Sequence, residues 1–135
     1  MKASTDDLRW LDPTTGPDAT TRVLLGQGPR VVLLTDGPQP VHVVLPTGTS
    51  AVAVPVVRVA DTIGAGDAFG AGFLAAWTGA GRTLADLAHS DAVIEATHFA
   101  IAVGAVTSTR VGADPPTRTA PVSYTHLTLP TKRIV

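Results

Sequence analysis

The sequence contains no cysteine among its 135 residues, which excludes disulfide bonds and thiolate metal sites. Charge is also scarce, since charged residues make up 16% of the chain and the formal net charge is −1. There is no block of basic residues. Nucleic acid and anionic membranes are therefore not expected as partners, because both are bound through clustered basic side chains.

Long hydrophobic runs are missing as well. No stretch reaches the roughly 18 residues of a membrane span, and the first seven residues, MKASTDD, lack the apolar core of a signal peptide. The chain is nevertheless 44% hydrophobic, which favours a globular body over disorder. These features predict a cytoplasmic protein with one small domain.

The most informative stretch is residues 61–74, DTIGAGDAFGAGFL. The run VVRV at residues 56–59, rich in β-branched valine, predicts a buried strand, and the small and apolar residues 68–77 predict a tightly packed helix. Gly64 and Gly66 allow a sharp turn and a close approach of the backbone to a ligand. The amides nearby would lie at a helix N-terminus, where unpaired N–H groups and the dipole favour an anion.

Asp67 follows the two glycines directly. A carboxylate beside bound phosphate repels it, so this residue is better suited to accept a proton from an attacking hydroxyl group. The alternative is an ordinary strand-to-helix turn in which Asp67 only caps the helix.

Residues 61–74 resemble the C-terminal signature of the PfkB (ribokinase-like) family of carbohydrate kinases, with its D-T-x-G-A-G-D core. Ala71 and Gly72 match small residues of that signature. The resemblance implies an α/β fold, the C-terminal half of a doubly wound, mostly parallel sheet flanked by helices. It also implies a homodimer for the complete enzyme.

The same resemblance implies the transfer of the γ-phosphoryl group of ATP to a hydroxyl of a sugar or sugar-like small molecule. Asp67 would be the catalytic base. The amides that would hold the transferring phosphoryl group are those of Gly64, Ala65 and Gly66. Mg²⁺ would bridge the ATP phosphates, and the sequence offers no dedicated ligand for it.

A nucleotide site is implied at two further places. Residues 30–35 predict a buried strand, and ligands of open α/β sheets bind beyond the carboxyl ends of strands. In the family a T-x-G turn there contacts phosphate, which here corresponds to Thr35, Asp36 and Gly37. Pro40 replaces a usual second glycine and stiffens this loop.

On a helix predicted over 91–107, the implied nucleotide residues are His98, Ile101 and Ala102.

Two of these helix residues have other interpretations. Taken alone, His98 also fits a solvated helix face. Ile101 stands where the family often has asparagine, so any contact there must be apolar.

Residues 107–112, TSTRVG, resemble the segment that closes the nucleotide site. In the family, backbone carbonyls from this segment and from the D-T-x-G turn hold a monovalent cation, which implies a K⁺ site. By position, those carbonyls belong to Asp61, Ile63, Thr107, Arg110 and Gly112. A hydroxyl ligand of some members would fall at Pro116, which has no hydroxyl.

The remaining pattern predicts further elements. Ser4 begins a short helix with Leu8 and Leu11 as its apolar face. Pro17 opens a second helix with Gly26 as its C-cap, and its predicted core residues are Val23, Leu24 and Leu25.

Residues 41–45 and 51–56 predict a hairpin around Thr47, Gly48 and Thr49. Thr83 could cap a short helix ending at Leu87, and Asp91 could cap the helix over 91–107.

The resemblance covers about residues 2–119, and we assign residues 1–121 to the kinase domain. Residues 122–135, VSYTHLTLPTKRIV, continue no pattern of the domain and resemble translated sequencing adapter, so they are interpreted as a non-native tail. The family's N-terminal half, with its sugar motif and β lid, has no counterpart. The chain is therefore interpreted as a truncated kinase, inactive alone; the alternatives are a non-catalytic nucleotide-binding fragment and a fragment that does not fold alone.

Overall fold

The computed structural model describes residues 1–117 and the backbone of residues 131–134. The chain divides into two compact units. The first comprises Met1–Ala53 and Thr131–Val135, and the second Val54–Pro130. Among the described residues, no helix combines the length and apolar character needed to cross a membrane.

The first unit contains a five-stranded mixed sheet. Its strands, in spatial as well as chain order, are β1 (Lys2–Ser4), β2 (Val32–Thr35), β3 (Val41–Leu45), β4 (Gly48–Val52) and β5 (Thr131–Ile134). β1 pairs in parallel with β2, and the other three pairings are antiparallel. The predicted strand over residues 30–35 is confirmed as β2, whose Val32, Leu33 and Leu34 are buried.

The hairpin of β3 and β4 lies in a different register from the predicted one. Leu45 pairs with Gly48, so the two-residue turn is Pro46-Thr47 rather than residues 47–49. β4 then ends at Val52, and the predicted continuation to Val56 is wrong. Pro55 has no N–H to donate to a neighbouring strand, which explains why no strand continues through it.

Two helices accompany this sheet, and α1 covers Thr5–Leu11. Ser4 caps α1 reciprocally: the Asp7 amide donates to Ser4 Oγ over 3.0 Å, and the Ser4 amide donates to Asp7 Oδ2 over 2.8 Å. Leu8 is fully buried against Ala3 and Leu34. Leu11 is 54% exposed, so its predicted place on the apolar face is wrong.

The second helix, α2, covers Pro17–Gly26 and is capped at its C-terminus by Gln27 rather than Gly26. Its buried residues are Thr20 and Thr21, whereas the predicted core residue Val23 is 59% exposed. Both threonine hydroxyls donate to the carbonyl four residues back, so they can be buried without leaving a polar group unpaired.

The second unit is built from α3 (Ala65–Gly79) and α4 (Ser90–Ser108), joined through a short 3₁₀ helix at Ala85–Ala88. The predicted helix over 68–77 is confirmed as part of α3. α4 begins one residue before Asp91, with His89 at its N-cap position. Small residues bring the two helices close together, since a Cβ at Gly72 would lie 3.0 Å from Val103 Cβ.

Residues 54–60 precede α3 and form no regular element. The predicted buried strand at 56–59 is wrong, because Val56 is fully exposed and Val59 is 56% exposed. Strand propensity is expressed only where a neighbouring strand supplies hydrogen bonds and packing. The described residues of the second unit contain no strand that could do so.

Candidate active site

The start of α3 depends on Gly64, its N-cap residue, which lies in the left-handed region with φ of 77°. A Cβ at this position would also lie 2.7 Å from Ala113 Cβ. Glycine is therefore required at position 64 for two reasons, its left-handed backbone conformation and the close approach of the 109–116 segment.

The amides of this turn are only partly used within the protein. The Ala65 amide donates to the Thr62 carbonyl over 3.2 Å, which closes the turn. The amides of Gly64, Gly66 and Asp67 donate to no acceptor in the described part of the chain. The sequence interpretation missed the Asp67 amide because it began the helix at residue 68; the first N–H groups of a helix that begins at Ala65 include this one.

Asp67 is the third residue of α3, and its side chain is exposed. Among the described residues, its carboxylate accepts no hydrogen bond and forms no ion pair. Since Gly64 is the cap and no side chain caps this helix, the capping interpretation of Asp67 is wrong. The turn thus presents a free carboxylate beside free N–H groups.

Asp61 ties this turn to the segment that follows α4. Its Oδ1 accepts the Ile63 amide over 3.0 Å, and its Oδ2 accepts the Gly112 amide over 2.9 Å. The amides of Ile63 and, second, Gly112 stabilise the charged form and hold the pKa of the Asp61 carboxyl below its ordinary value. In addition, the Ala60 and Asp61 amides both donate to the Ser108 carbonyl, over 2.8 and 3.2 Å.

The sequence interpretation used Asp61 only through its backbone carbonyl and missed the role of its carboxylate. One of its two hydrogen bonds could have been predicted from the sequence, because an aspartate at the start of a turn commonly accepts the amide two residues on. The partner at Gly112 is 51 residues away in sequence and could not be read from local pattern.

The five predicted cation-binding carbonyls are partly engaged. The Thr107 carbonyl accepts the Arg110 amide over 3.1 Å, and the Gly112 carbonyl accepts the Asp114 amide over 2.9 Å. Each carbonyl oxygen keeps a second lone pair, so these bonds are compatible with a cation ligand. No three acidic or histidine side chains converge within the described residues to form a metal site of another kind.

An open groove of about 720 Å³ runs along α3 from Gly64 to Gly79. Asp67 lines it, and most of the other lining residues are apolar or small. α4 contributes Phe99 and Val103, and the segment after it contributes Ala113, Pro115 and Pro116. The carboxylate of Asp67, the candidate base, therefore lies in this open groove.

The predicted nucleotide residues belong to both units. Thr35, Asp36 and Gly37 lie in the first unit, at the carboxyl end of β2, where the Gln39 amide closes a turn onto the Asp36 carbonyl over 2.9 Å. On α4, Ile101 and Ala102 are each only 3% exposed. His98 is half-buried, and burial lowers the pKa of its imidazole. Of these three helix residues, only His98 has appreciable accessible surface.

A sequence model of pfkB family carbohydrate kinases matches residues 1–120. The chain belongs to this family. None of the curated protein sequences compared with it matches it.

Solved structures support this membership. A fructokinase from Vibrio cholerae O395, solved with fructose, ADP and calcium bound, is 25% identical with a TM-score of 0.76. An aminoimidazole riboside kinase from Salmonella enterica, solved with aminoimidazole riboside and an ATP analogue, is 27% identical with a TM-score of 0.69. A ribokinase from Thermotoga maritima, 22% identical with a TM-score of 0.74, shares the fold.

The chain spans only part of these kinases. The three matches cover 96%, 83% and 91% of this chain, but 40%, 36% and 40% of the respective relatives. The chain thus belongs to a sugar kinase family, and it covers less than half the length of each of these three relatives.

Proposed function

We propose that this chain is the part of an ATP-dependent cytoplasmic carbohydrate kinase that carries the catalytic base and the phosphoryl-binding amides. The observation that carries the proposal is the first turn of α3, where the unpaired carboxylate of Asp67 lies beside unpaired backbone amides. Membership of the pfkB family supports the reaction class. The acceptor is a hydroxyl of a sugar or sugar-like molecule.

In the proposed reaction, the acceptor oxygen attacks the γ-phosphorus of ATP while its proton passes to the Asp67 carboxylate. The new O–P bond forms as the bond to the ADP oxygen breaks. The amides of Gly64, Gly66 and Asp67, aided by the helix dipole, hold the oxygens of the transferring group. Ala65 shapes the turn, because its own amide already donates to Thr62. Positioning and charge stabilisation supply most of the catalysis in such a transfer.

Nucleotide contacts are proposed in each unit by itself, at the turn after β2 in the first unit and on the accessible surface of α4 in the second. The residues involved are Thr35, Asp36, Gly37, His98, Ile101 and Ala102. Because Ile101 and Ala102 are buried, their contribution is to shape the surface around His98.

Two cations are proposed with the nucleotide. Mg²⁺, when bound to the ATP phosphates, would neutralise their charge, and the described residues contain no cluster of acidic side chains that would hold it. K⁺ would lie among backbone carbonyls whose second lone pairs are free. Those carbonyls belong to Asp61, Ile63, Thr107, Arg110 and Gly112.

A second candidate function is nucleotide binding without turnover. It is favoured by one observation, that the chain covers only 36–40% of the fructokinase, the riboside kinase and the ribokinase. The residues that contact the sugar in a complete kinase would then have to come from another polypeptide segment.

Binding and turnover measurements on the purified chain separate the candidates. A fluorescent ATP analogue is titrated with and without a panel of sugars, and ADP release is followed in parallel. Sugar-dependent ADP release, by the chain alone or by a complete kinase that contains it, supports the kinase; binding by the chain without release in either protein supports the nucleotide-binding function. A cooperative unfolding transition with no analogue binding at millimolar concentration would contradict both.

A further inference from the structure

The last residue of α4 and the segment that follows it contact the residues that lead into α3 through three hydrogen bonds and one packing contact. The Gly112 amide donates to the Asp61 carboxylate over 2.9 Å, and the Ser108 carbonyl accepts two amides from residues 60 and 61. Ala113 lies so close to Gly64 that a Cβ on this glycine would be 2.7 Å from Ala113 Cβ. The two segments are thus joined both by hydrogen bonds and by packing.

Asp61 is the side chain that spans this junction. One carboxylate oxygen accepts the Ile63 amide from its own turn, and the other accepts the Gly112 amide from the opposite segment. Because both acceptor atoms belong to one rigid planar group, the two hydrogen bonds restrain Ile63 relative to Gly112. Gly64, which follows Ile63 directly, begins the row of free amides.

We propose that the Asp61 carboxylate is a positioning residue that fixes the phosphoryl-binding amides of α3 against the 109–114 segment. This rests on the proposed function, which assigns those amides to the transferring phosphoryl group. Hydrogen bonds to a charged acceptor are stronger than neutral ones, so the carboxylate holds its two amides more firmly than a neutral side chain would. Preorganised donors stabilise developing charge best, because they need no rearrangement as the reaction proceeds.

The experiment compares variants of the full chain by amide hydrogen exchange and ¹H–¹⁵N NMR. Asp61→Ala removes both acceptors, and faster exchange is expected at Ile63 and Gly112, with shifted or broadened cross-peaks at Gly64, Gly66 and Asp67. Asp61→Asn keeps one acceptor oxygen, and protection is expected to survive at one of the two amides. This second variant also decides the matter if Asp61→Ala does not fold.

Asp86→Ala is the matched control. The Asp86 carboxylate likewise accepts two hydrogen bonds, from the Thr83 amide over 2.7 Å and the Thr83 hydroxyl over 2.8 Å, but it joins only neighbouring residues. It should leave the cross-peaks of Gly64, Gly66 and Asp67 unchanged. Unchanged cross-peaks at these residues in both Asp61 variants would overturn the proposal.

A titration with inorganic pyrophosphate adds the functional readout. Of the two hydrogen bonds that Asp61→Ala removes, the one from the Gly112 amide crosses the junction, and its loss is expected to weaken pyrophosphate binding about tenfold, with a smaller effect in Asp61→Asn. Equal affinity in the wild type and Asp61→Ala would overturn the positioning role. If the wild type binds no pyrophosphate, the proposed function fails for this chain, and the cross-peak comparison still decides the role of Asp61.

Discussion

Gly72 on α3 packs against Val103 on α4 without room for a side chain between them. A Cβ at Gly72 would lie 3.0 Å from both Cβ and Cγ2 of Val103 and 3.1 Å from the Cα of Ala100. The two helices can therefore lie this close together only because Gly72 has no side chain.

Gly72→Ala is expected to destabilise the protein by about 1–3 kcal/mol, the usual cost of overpacking a close contact. The matched control is Gly70→Ala in the same helix, where a Cβ meets nothing within 4 Å. Alanine there should stabilise by up to about 1 kcal/mol through helix propensity. Urea unfolding of both variants measures the difference, and equal stabilities would contradict the packing described.

Gly64→Ala is expected to lose stability for two reasons, the left-handed backbone with φ of 77° and the contact with Ala113. Gly81→Ala shares the first reason alone, since φ is 67° and no atom lies within 4 Å of its added Cβ. Backbone strain costs about 1–2 kcal/mol in each case. The additional loss in Gly64→Ala, measured by urea unfolding, reports the contact; a smaller loss than in Gly81→Ala would refute it.

Asp67→Asn tests the catalytic base in a complete kinase that contains this chain. Asparagine keeps the shape but cannot accept the hydroxyl proton near neutral pH, so kcat should fall by at least ~10²–10⁴-fold. ATP affinity should stay the same or rise slightly, because a negative charge beside phosphate is removed. Steady-state kinetics with an ATP titration measure both effects, and near-wild-type kcat would remove Asp67 from the mechanism.

The half-buried imidazole of His98 should make the stability of the protein depend on pH. Burial lowers its pKa in the folded state from the usual 6.5, so the unfolded chain binds the proton more readily. This contribution to stability is fully present above about pH 6.5 and is lost as the pH falls toward the folded-state pKa. Urea unfolding between pH 7.5 and 5.5 should show the decrease, and His98→Gln should reduce it. An NMR midpoint for His98 at or above 6.5 would contradict the prediction.

A chain that ends at residue 121 tests the interpretation of residues 122–135 as a non-native tail. The deletion removes β5, which pairs with β4 at the edge of the sheet, while residues 122–130 lie outside the described residues. If the tail is not part of the domain, the melting temperature should stay within about 3 °C of the full chain. A larger decrease would show that β5 belongs to the fold.

The sequence alone predicts those parts of the structure that are determined by residues close together along the chain. The cap at Ser4, the helix after Gly66 and the strand over 30–35 all follow from local chemistry or periodicity, and each is present. In contrast, residues 56–59 have strand propensity but no neighbouring strand in their unit, and Val56 is fully exposed. Propensity states what a segment favours, and packing decides whether it is realised.

The candidate site shows the same division. Asp67 and the glycine turn could be recognised because one short stretch contains the whole pattern. The bond from the Gly112 amide to Asp61 joins residues 51 positions apart, and the contact of Ala113 with Gly64 is of the same kind. Such long-range contacts depend on how the helices pack, which the pattern of a single segment does not encode.

The packing of α4 has a consequence for mutational mapping. Every residue from 100 to 107 is buried, so this part of the helix has no exposed stripe. A saturation mutagenesis scan would therefore show that substitutions are poorly tolerated at all of these positions. The periodicity of three to four residues that usually reveals a helix would be missing. Secondary structure inferred from tolerance data alone would assign this segment to a core strand, although it is helical throughout.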